Sequence, residues 1–83
     1  MSVFVFTSPA CKPCQELKPT IRDLKEEFPD LKWTDVNIKE DPTGITQKYG
    51  VKFVPTIVVD SPKGVTSHTG KDATGYYRIL KNA

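Results

Sequence analysis

The chain has 83 residues, with 12 Lys plus Arg against 10 Asp plus Glu, a net charge of +2, and 37% hydrophobic side chains. A chain of this length buries only about 60–65% of the surface its unfolded form exposes, so residues 1–83 hold one small domain without an interdomain cleft. Weak, dispersed charge argues against nucleic acid as partner. The longest apolar run, Val3 to Phe6, is far below the ~18 residues of a membrane span, and the N-terminus lacks the layout of a signal peptide.

Ser2 to Phe6 is rich in Val and Phe, too short for a helix, and reads as a strand buried on both faces. Cys14, Leu17, Ile21, Leu24 and Phe28 then recur at spacings of 3, 4, 3 and 4, one apolar stripe on a helix of about four turns, with a kink expected at Pro19. Lys32 to Ile38 reads as a second strand. Asp41-Pro42 has the form of an N-cap followed by proline at the first helical position, opening a short helix that carries Ile45 and Tyr49 and stops at Gly50. Thr56 to Asp60, a turn over Ser61 to Gly64, and Val65 to Thr69 form a hairpin, with His68 read as a solvent-side strand residue. Asp72 or Thr74 can cap a last helix whose stripe is Tyr76, Tyr77, Ile79 and Leu80. The order is βαβαββα, with parallel pairing favoured between strands separated by helices and antiparallel pairing for the hairpin.

The chemical signal is Cys11-Lys12-Pro13-Cys14, between the first strand and the first helix. Side chains three apart at a helix start share one face, with Cα atoms roughly 5–6 Å apart, within disulfide reach. So small a loop gains little stability from cross-linking, which points to a bridge that is made and broken. Cys11 meets the unpaired N–H groups and positive dipole end of the helix, and Lys12 adds a cation; both favour the thiolate. Cys14 lies one turn in, on the apolar stripe, which makes Cys11 the attacking sulfur and Cys14 the resolving one. As half of a zinc site the motif is short of ligands, because His68 is the single histidine. A non-enzymatic metal-carrier domain is a further alternative: such carriers follow a first strand with a C-x-x-C helix start, but in the order βαββαβ and with Met where this chain has Pro9. No bound cofactor or metal is expected, and the sequence carries no nicotinamide or flavin fingerprint.

These features resemble the thioredoxin and glutaredoxin family over nearly the whole chain. Cys11-Lys12-Pro13-Cys14 is similar to the thioredoxin motif with proline before the second cysteine, Pro19 matches the family's helix proline, and Lys48 to Thr56 is similar to the segment that leads to the thioredoxin cis-proline. The resemblance implies a minimal thioredoxin fold, an α/β four-stranded mixed sheet with helices on both faces, and a Val54-Pro55 cis peptide facing the dithiol. It further implies that Val54 backbone pairs with substrate, that Gly70 borders the same surface, and that Cys11, Cys14, Lys12, Pro13 and Pro55 form the catalytic site of a protein disulfide reductase. In size, and in its Thr7-Ser8-Pro9 approach, the chain is similar to glutaredoxins. The alternative is therefore a glutathione-dependent reductase with Asp72 as the glutathione-binding candidate.

Partners implied by the resemblance are disulfide-containing proteins, with ribonucleotide reductase as an example from compact phage and bacterial redoxins, and thioredoxin reductase or glutathione as reductant. A monomer in a reducing cytoplasm is the expected setting. One family feature is absent: Val5 stands at the position of the buried family Asp. Asp35, on the neighbouring strand, is the candidate proton acceptor in its place, set against the plainer reading that it lies on an exposed edge strand.

Overall fold

The structure, a computed structural model, describes residues 2–82. The elements are β1 (Ser2–Thr7), α1 (Lys12–Glu27), β2 (Lys32–Asn37), α2 (Ile45–Lys48), β3 (Thr56–Ser61), β4 (Gly64–Thr69) and α3 (Ala73–Lys81), in the expected order βαβαββα. They form one sheet of strand order β2-β1-β3-β4, with β1 and β2 parallel, β1 and β3 antiparallel, and β3 and β4 an antiparallel hairpin. The parallel preference fails for β3, and the length of α2 gives the reason. A four-residue helix rises about 6 Å and the rest of the connection is mostly turns and bends, whereas running back along a six-residue strand needs about 20 Å. The connection therefore stays at the end of the sheet where β2 finishes, and β3 starts there, with Thr56 opposite Phe6.

Alternation along β1 and β3 sends side chains to two cores. One, beneath α1 and α3, joins Val3, Val5, Ile57 and Val59 to Leu17, Ile21, Leu24, Tyr76 and Leu80. The other, beneath α2, joins Phe6, Val36 and Val58, with Phe4, Ile38, Ile45 and Tyr49 packed around them. The central strand β3 is buried from Thr56 to Val59, as a β-branched run covered on both sides should be. Helix α1 buries Cys14, Leu17, Ile21 and Leu24 as its periodicity requires, and it continues through Pro19, whose ring lies on the exposed face.

Two expectations are corrected. Asp41 is not the N-cap residue of α2; Gly44 is, at φ 71°, and Pro42 lies in the preceding turn. The Asp41 carboxylate reaches over that turn instead, accepting from the Thr46 hydroxyl at 2.6 Å, the Thr46 N–H at 2.7 Å and the Thr43 hydroxyl at 2.8 Å. It caps the helix from outside. These bonds, the Thr46 hydroxyl first, hold Asp41 well below the ordinary carboxylate range. On α3, the buried stripe is Gly75, Tyr76 and Leu80; Tyr77 is half-exposed, packs edge-on to Phe28 and donates its hydroxyl to Glu27 at 2.7 Å. Adjacent residues on a helix diverge by about 100°, so Tyr76 and Tyr77 cannot both face the core.

Candidate active site

Ser8 carbonyl accepts the Cys11 N–H at 3.1 Å and turns the chain from β1 into α1. Cys11 is the N-cap, with extended backbone, and its sulfur accepts the Cys14 N–H at 3.1 Å. This is the bond a serine or aspartate oxygen makes at an N-cap, made here by sulfur. Pro13, in the first turn, has no N–H to leave unpaired. Cys11 and Cys14 are joined as a disulfide with Cα atoms 5.2 Å apart. Cys11 retains 9% exposure and Cys14 only 2%, so an incoming group meets Cys11 first. Lys12 and Pro13 are exposed beside it.

Across from the dithiol, the Val54–Pro55 peptide is cis, and the Val54 carbonyl oxygen lies 3.7 Å from Cys11 Sγ. Gly70 is drawn to the same place. Its N–H donates to the Pro55 carbonyl at 3.1 Å, and its φ of 116° is one that L side chains rarely adopt. The Val54 carbonyl at Cys11 and the Gly70 N–H on the next carbonyl thus link the dithiol, the proline loop and the Gly70 turn; the Pro55 ring is buried, and Phe53, next to Val54, is 71% exposed.

The remaining candidates lie elsewhere. Asp72 uses one carboxylate oxygen to accept the Thr74 N–H at 3.0 Å as the N-cap of α3, and the other lies 4.0 Å from His68 Nε2. His68, expected on the solvent side, is only partly exposed, at 31% of its side chain. Its ring packs edge-on to Tyr76, with centroids 4.9 Å apart, over Gly75, and its Nε2 is buried without a hydrogen-bond partner. Helix α3 covers this end of β4, a packing that strand alternation alone does not reveal. Among the described residues, no three His, Cys, Asp or Glu side chains gather as metal ligands.

Asp35 pairs in register with Val5 on the edge strand β2, is 68% exposed, and forms an ion pair with Lys25 at 3.0 Å. It lines a groove of about 430 Å³ with Val5, Thr7, Lys18 and Arg22. A second groove, bearing Thr7, Lys18 and Asn37, reaches Cys14. The two share Thr7 and Lys18.

Sequence reasoning missed Thr56 and Tyr76. Thr56, the one buried polar residue among those described, donates its hydroxyl to the Phe53 carbonyl at 2.6 Å. The Tyr76 hydroxyl reaches the Pro55 carbonyl at 3.2 Å and also the Gly70 carbonyl. A tyrosine on an apolar stripe was the available signal, since a buried phenol needs a partner.

A redox-capable cysteine pair capping a helix, opposed by an X–Pro loop on a mixed sheet, defines a thioredoxin-like protein. The family pattern Thioredoxin matches residues 1–80. The chain belongs to the thioredoxin family. It is 33% identical over 61 residues to a thioredoxin of Methanocaldococcus jannaschii, covering 72% of this chain and 71% of that one. Against a thioredoxin of Pyropia yezoensis it is 31% identical over 55 residues, and the match spans 65% of this chain but half of that relative. Mitochondrial thioredoxin 3 of Saccharomyces cerevisiae in its oxidised form superposes with a TM-score of 0.88 at 23% identity, over 98% of this chain and 76% of that one. Thioredoxin O2 of Arabidopsis thaliana, also oxidised, gives 0.83 at 28% identity, over 98% and 72%. The element order is not the βαββαβ of a metal carrier. No helix is long and apolar enough to cross a membrane among the described residues.

Proposed function

We propose that the chain is a dithiol–disulfide oxidoreductase that reduces protein disulfides. The observation that carries this reading is the asymmetric cysteine pair: Cys11 accepts the Cys14 N–H and retains an exposed edge, while Cys14 is 2% exposed. In the reduced chain the same N–H and the helix terminus favour a thiolate on Cys11. That thiolate attacks one sulfur of a partner disulfide, forming a Cys11–partner disulfide and releasing the other partner sulfur as thiolate. Cys14 then gives up its proton and attacks Cys11 Sγ, which restores the Cys11–Cys14 disulfide and frees the second partner thiolate. Two electrons have moved from the chain to the partner, and an external reductant must return them.

The Val54 carbonyl lies 3.7 Å from the sulfur that the partner must reach, and the Gly70 N–H holds the carbonyl that follows it, which supports Val54 backbone as the strand-pairing edge and Pro55 as part of the catalytic surface. Asp35 is the proposed acceptor of the Cys14 proton, through water in the two grooves that share Thr7 and Lys18. Partners are disulfide-containing proteins, with ribonucleotide reductase a member of that class, met by a monomer in a reducing cytoplasm. Thioredoxin reductase is the proposed reductant. Its rival, glutathione, has weaker support because the family pattern that matches the chain is Thioredoxin.

A coupled assay tests this reading. With insulin as disulfide substrate, NADPH consumption through thioredoxin reductase is expected to exceed that through glutathione and its reductase. Activity confined to the glutathione route would assign the chain to the glutaredoxin mode.

A further inference from the structure

We infer that Tyr76 is a positioning residue for the partner-binding edge: its hydroxyl, together with the Gly70 N–H, holds the Pro55 carbonyl inward and keeps the Val54 backbone aimed at the Cys11 sulfur. This rests on the dithiol reading above and adds to it a residue from outside the motif.

The carbonyls on either side of Val54 are both tied back into the protein. Phe53 carbonyl accepts the Thr56 hydroxyl at 2.6 Å. Across a trans peptide the N–H points opposite to the carbonyl, so fixing the Phe53 oxygen inward turns the Val54 N–H outward. On the other side, Pro55 carbonyl accepts the Gly70 N–H at 3.1 Å and the Tyr76 hydroxyl at 3.2 Å. Between these anchors, the Val54 carbonyl stands 3.7 Å from Cys11 Sγ. An edge that offers both a donor and an acceptor can add one extended segment of a partner by β-pairing.

The rest of Tyr76 makes this anchor firm. Its ring is wholly buried, at 0% exposure, in the α1/α3 core that also holds Val3, Ile57 and Leu80, and it packs edge-on with His68. Burial raises its pKa to about 12, so the phenol carries its proton at every physiological pH and remains a donor. The single phenolic proton is shared between two acceptors, the closer Gly70 carbonyl and the Pro55 carbonyl, and Lys71, next in sequence, is paired with Glu16 of α1 at 2.7 Å. One core side chain thereby joins the Gly70 turn, the proline loop and α3.

The test compares a substrate that must pair with the Val54 edge and one that need only reach Cys11. Insulin and 5,5′-dithiobis(2-nitrobenzoate) serve as the two probes, with wild type and Tyr76→Phe. The phenylalanine keeps the ring in the core and leaves the Gly70 N–H on the Pro55 carbonyl, so the variant should fold. Loss of one hydrogen bond at the edge is expected to raise KM for insulin roughly three- to tenfold at near-constant kcat. The rate with the small disulfide should not change. Replacing Tyr76 by p-aminophenylalanine, which keeps a donor at the same place, should restore the insulin KM.

An insulin KM unchanged in Tyr76→Phe, an equal slowing of both substrates, or no rescue by the amino variant overturns the assignment of Tyr76. A wild type that reduces neither probe overturns the dithiol reading itself, and the two failures are thereby distinguished.

Discussion

The backbone N–H of Cys14 donates to the sulfur of Cys11 at 3.1 Å. The resolving cysteine thus helps prepare the attacking one, because the N–H that stabilises negative charge on Cys11 belongs to Cys14 itself. Its side chain cannot take the attacking role, since Cys14 is 2% exposed. In the reduced protein, iodoacetamide should therefore modify Cys11 well before Cys14. Mass spectrometry of peptides taken at short times checks the order, and first modification at Cys14 would reverse the two roles.

Lys12 is exposed, and among the described residues no carboxylate lies within ion-pair distance of it. Its charge acts on Cys11 across solvent and is open to screening. Lys12→Gly should move the Cys11 alkylation profile to higher pH in dilute buffer and have little effect in 1 M salt. Coincident profiles at low salt would leave the helix terminus as the main support of the thiolate.

Asp35 and Val5 are partners in register on adjacent strands, so the carboxylate is displaced sideways by one strand from Val5. If water in the shared grooves carries the Cys14 proton to it, Asp35→Asn should slow release of the mixed disulfide several-fold and leave the Cys11 attack unchanged. Stopped-flow traces of the two phases separate these steps. Equal release rates across neutral pH would make bulk solvent the acceptor.

Gly75 sits under the His68 ring, and a Cβ at that position would overlap the imidazole. Alanine gains about 1 kcal/mol of helix propensity over glycine, but overpacking a core costs about 1–3 kcal/mol. The atoms met are the outer end of the imidazole, which is 31% exposed, so the ring can turn away only by giving up its edge-on packing on Tyr76, and that loss should outweigh the propensity gain. Gly75→Ala is expected to lower Tm, and adding His68→Ala should recover the loss. Thermal unfolding followed by circular dichroism checks both chains.

Asp41 is held below its ordinary value of 3.8 by the Thr46 and Thr43 donors. A carboxyl with a depressed folded pKa stabilises the fold fully above the unfolded pKa and loses that contribution as pH falls toward the folded one. Urea midpoints of wild type and Asp41→Asn should therefore differ by a constant amount from pH 7 down to about pH 5, and converge progressively below pH 4. A difference that did not depend on pH would show that the threonine bonds do not need the charge.

Local pattern was enough for much of the fold. The stripe from Cys14 to Phe28 located α1 because a helix repeats every few residues, and the same count placed Cys11 at its start. The β-branched run Thr56 to Asp60 marked the buried central strand for a similar reason. Relations across the chain were not written in any local pattern. Cys11 and Val54 are 43 positions apart, so their proximity was legible only through the likeness of Lys48 to Thr56 to thioredoxins. Asp41 had the form of a cap, yet its carboxylate works from outside α2 because Gly44 takes the cap position. His68 and Tyr76 looked like a surface strand residue and a core filler. Their real surroundings depend on how α3 lies across β4, and on which carbonyls the Tyr76 hydroxyl finds there.

The central claim is that Cys11 takes the partner sulfur and Cys14 releases it. The most direct measurement incubates reduced Cys14→Ser with an oxidised disulfide protein and maps the adduct by mass spectrometry under non-reducing conditions. A stable one-to-one mixed disulfide on Cys11, absent from Cys11→Ser and transient in wild type, is the predicted result. No adduct on Cys11, or an equally abundant adduct on Cys14 in Cys11→Ser, would contradict the account.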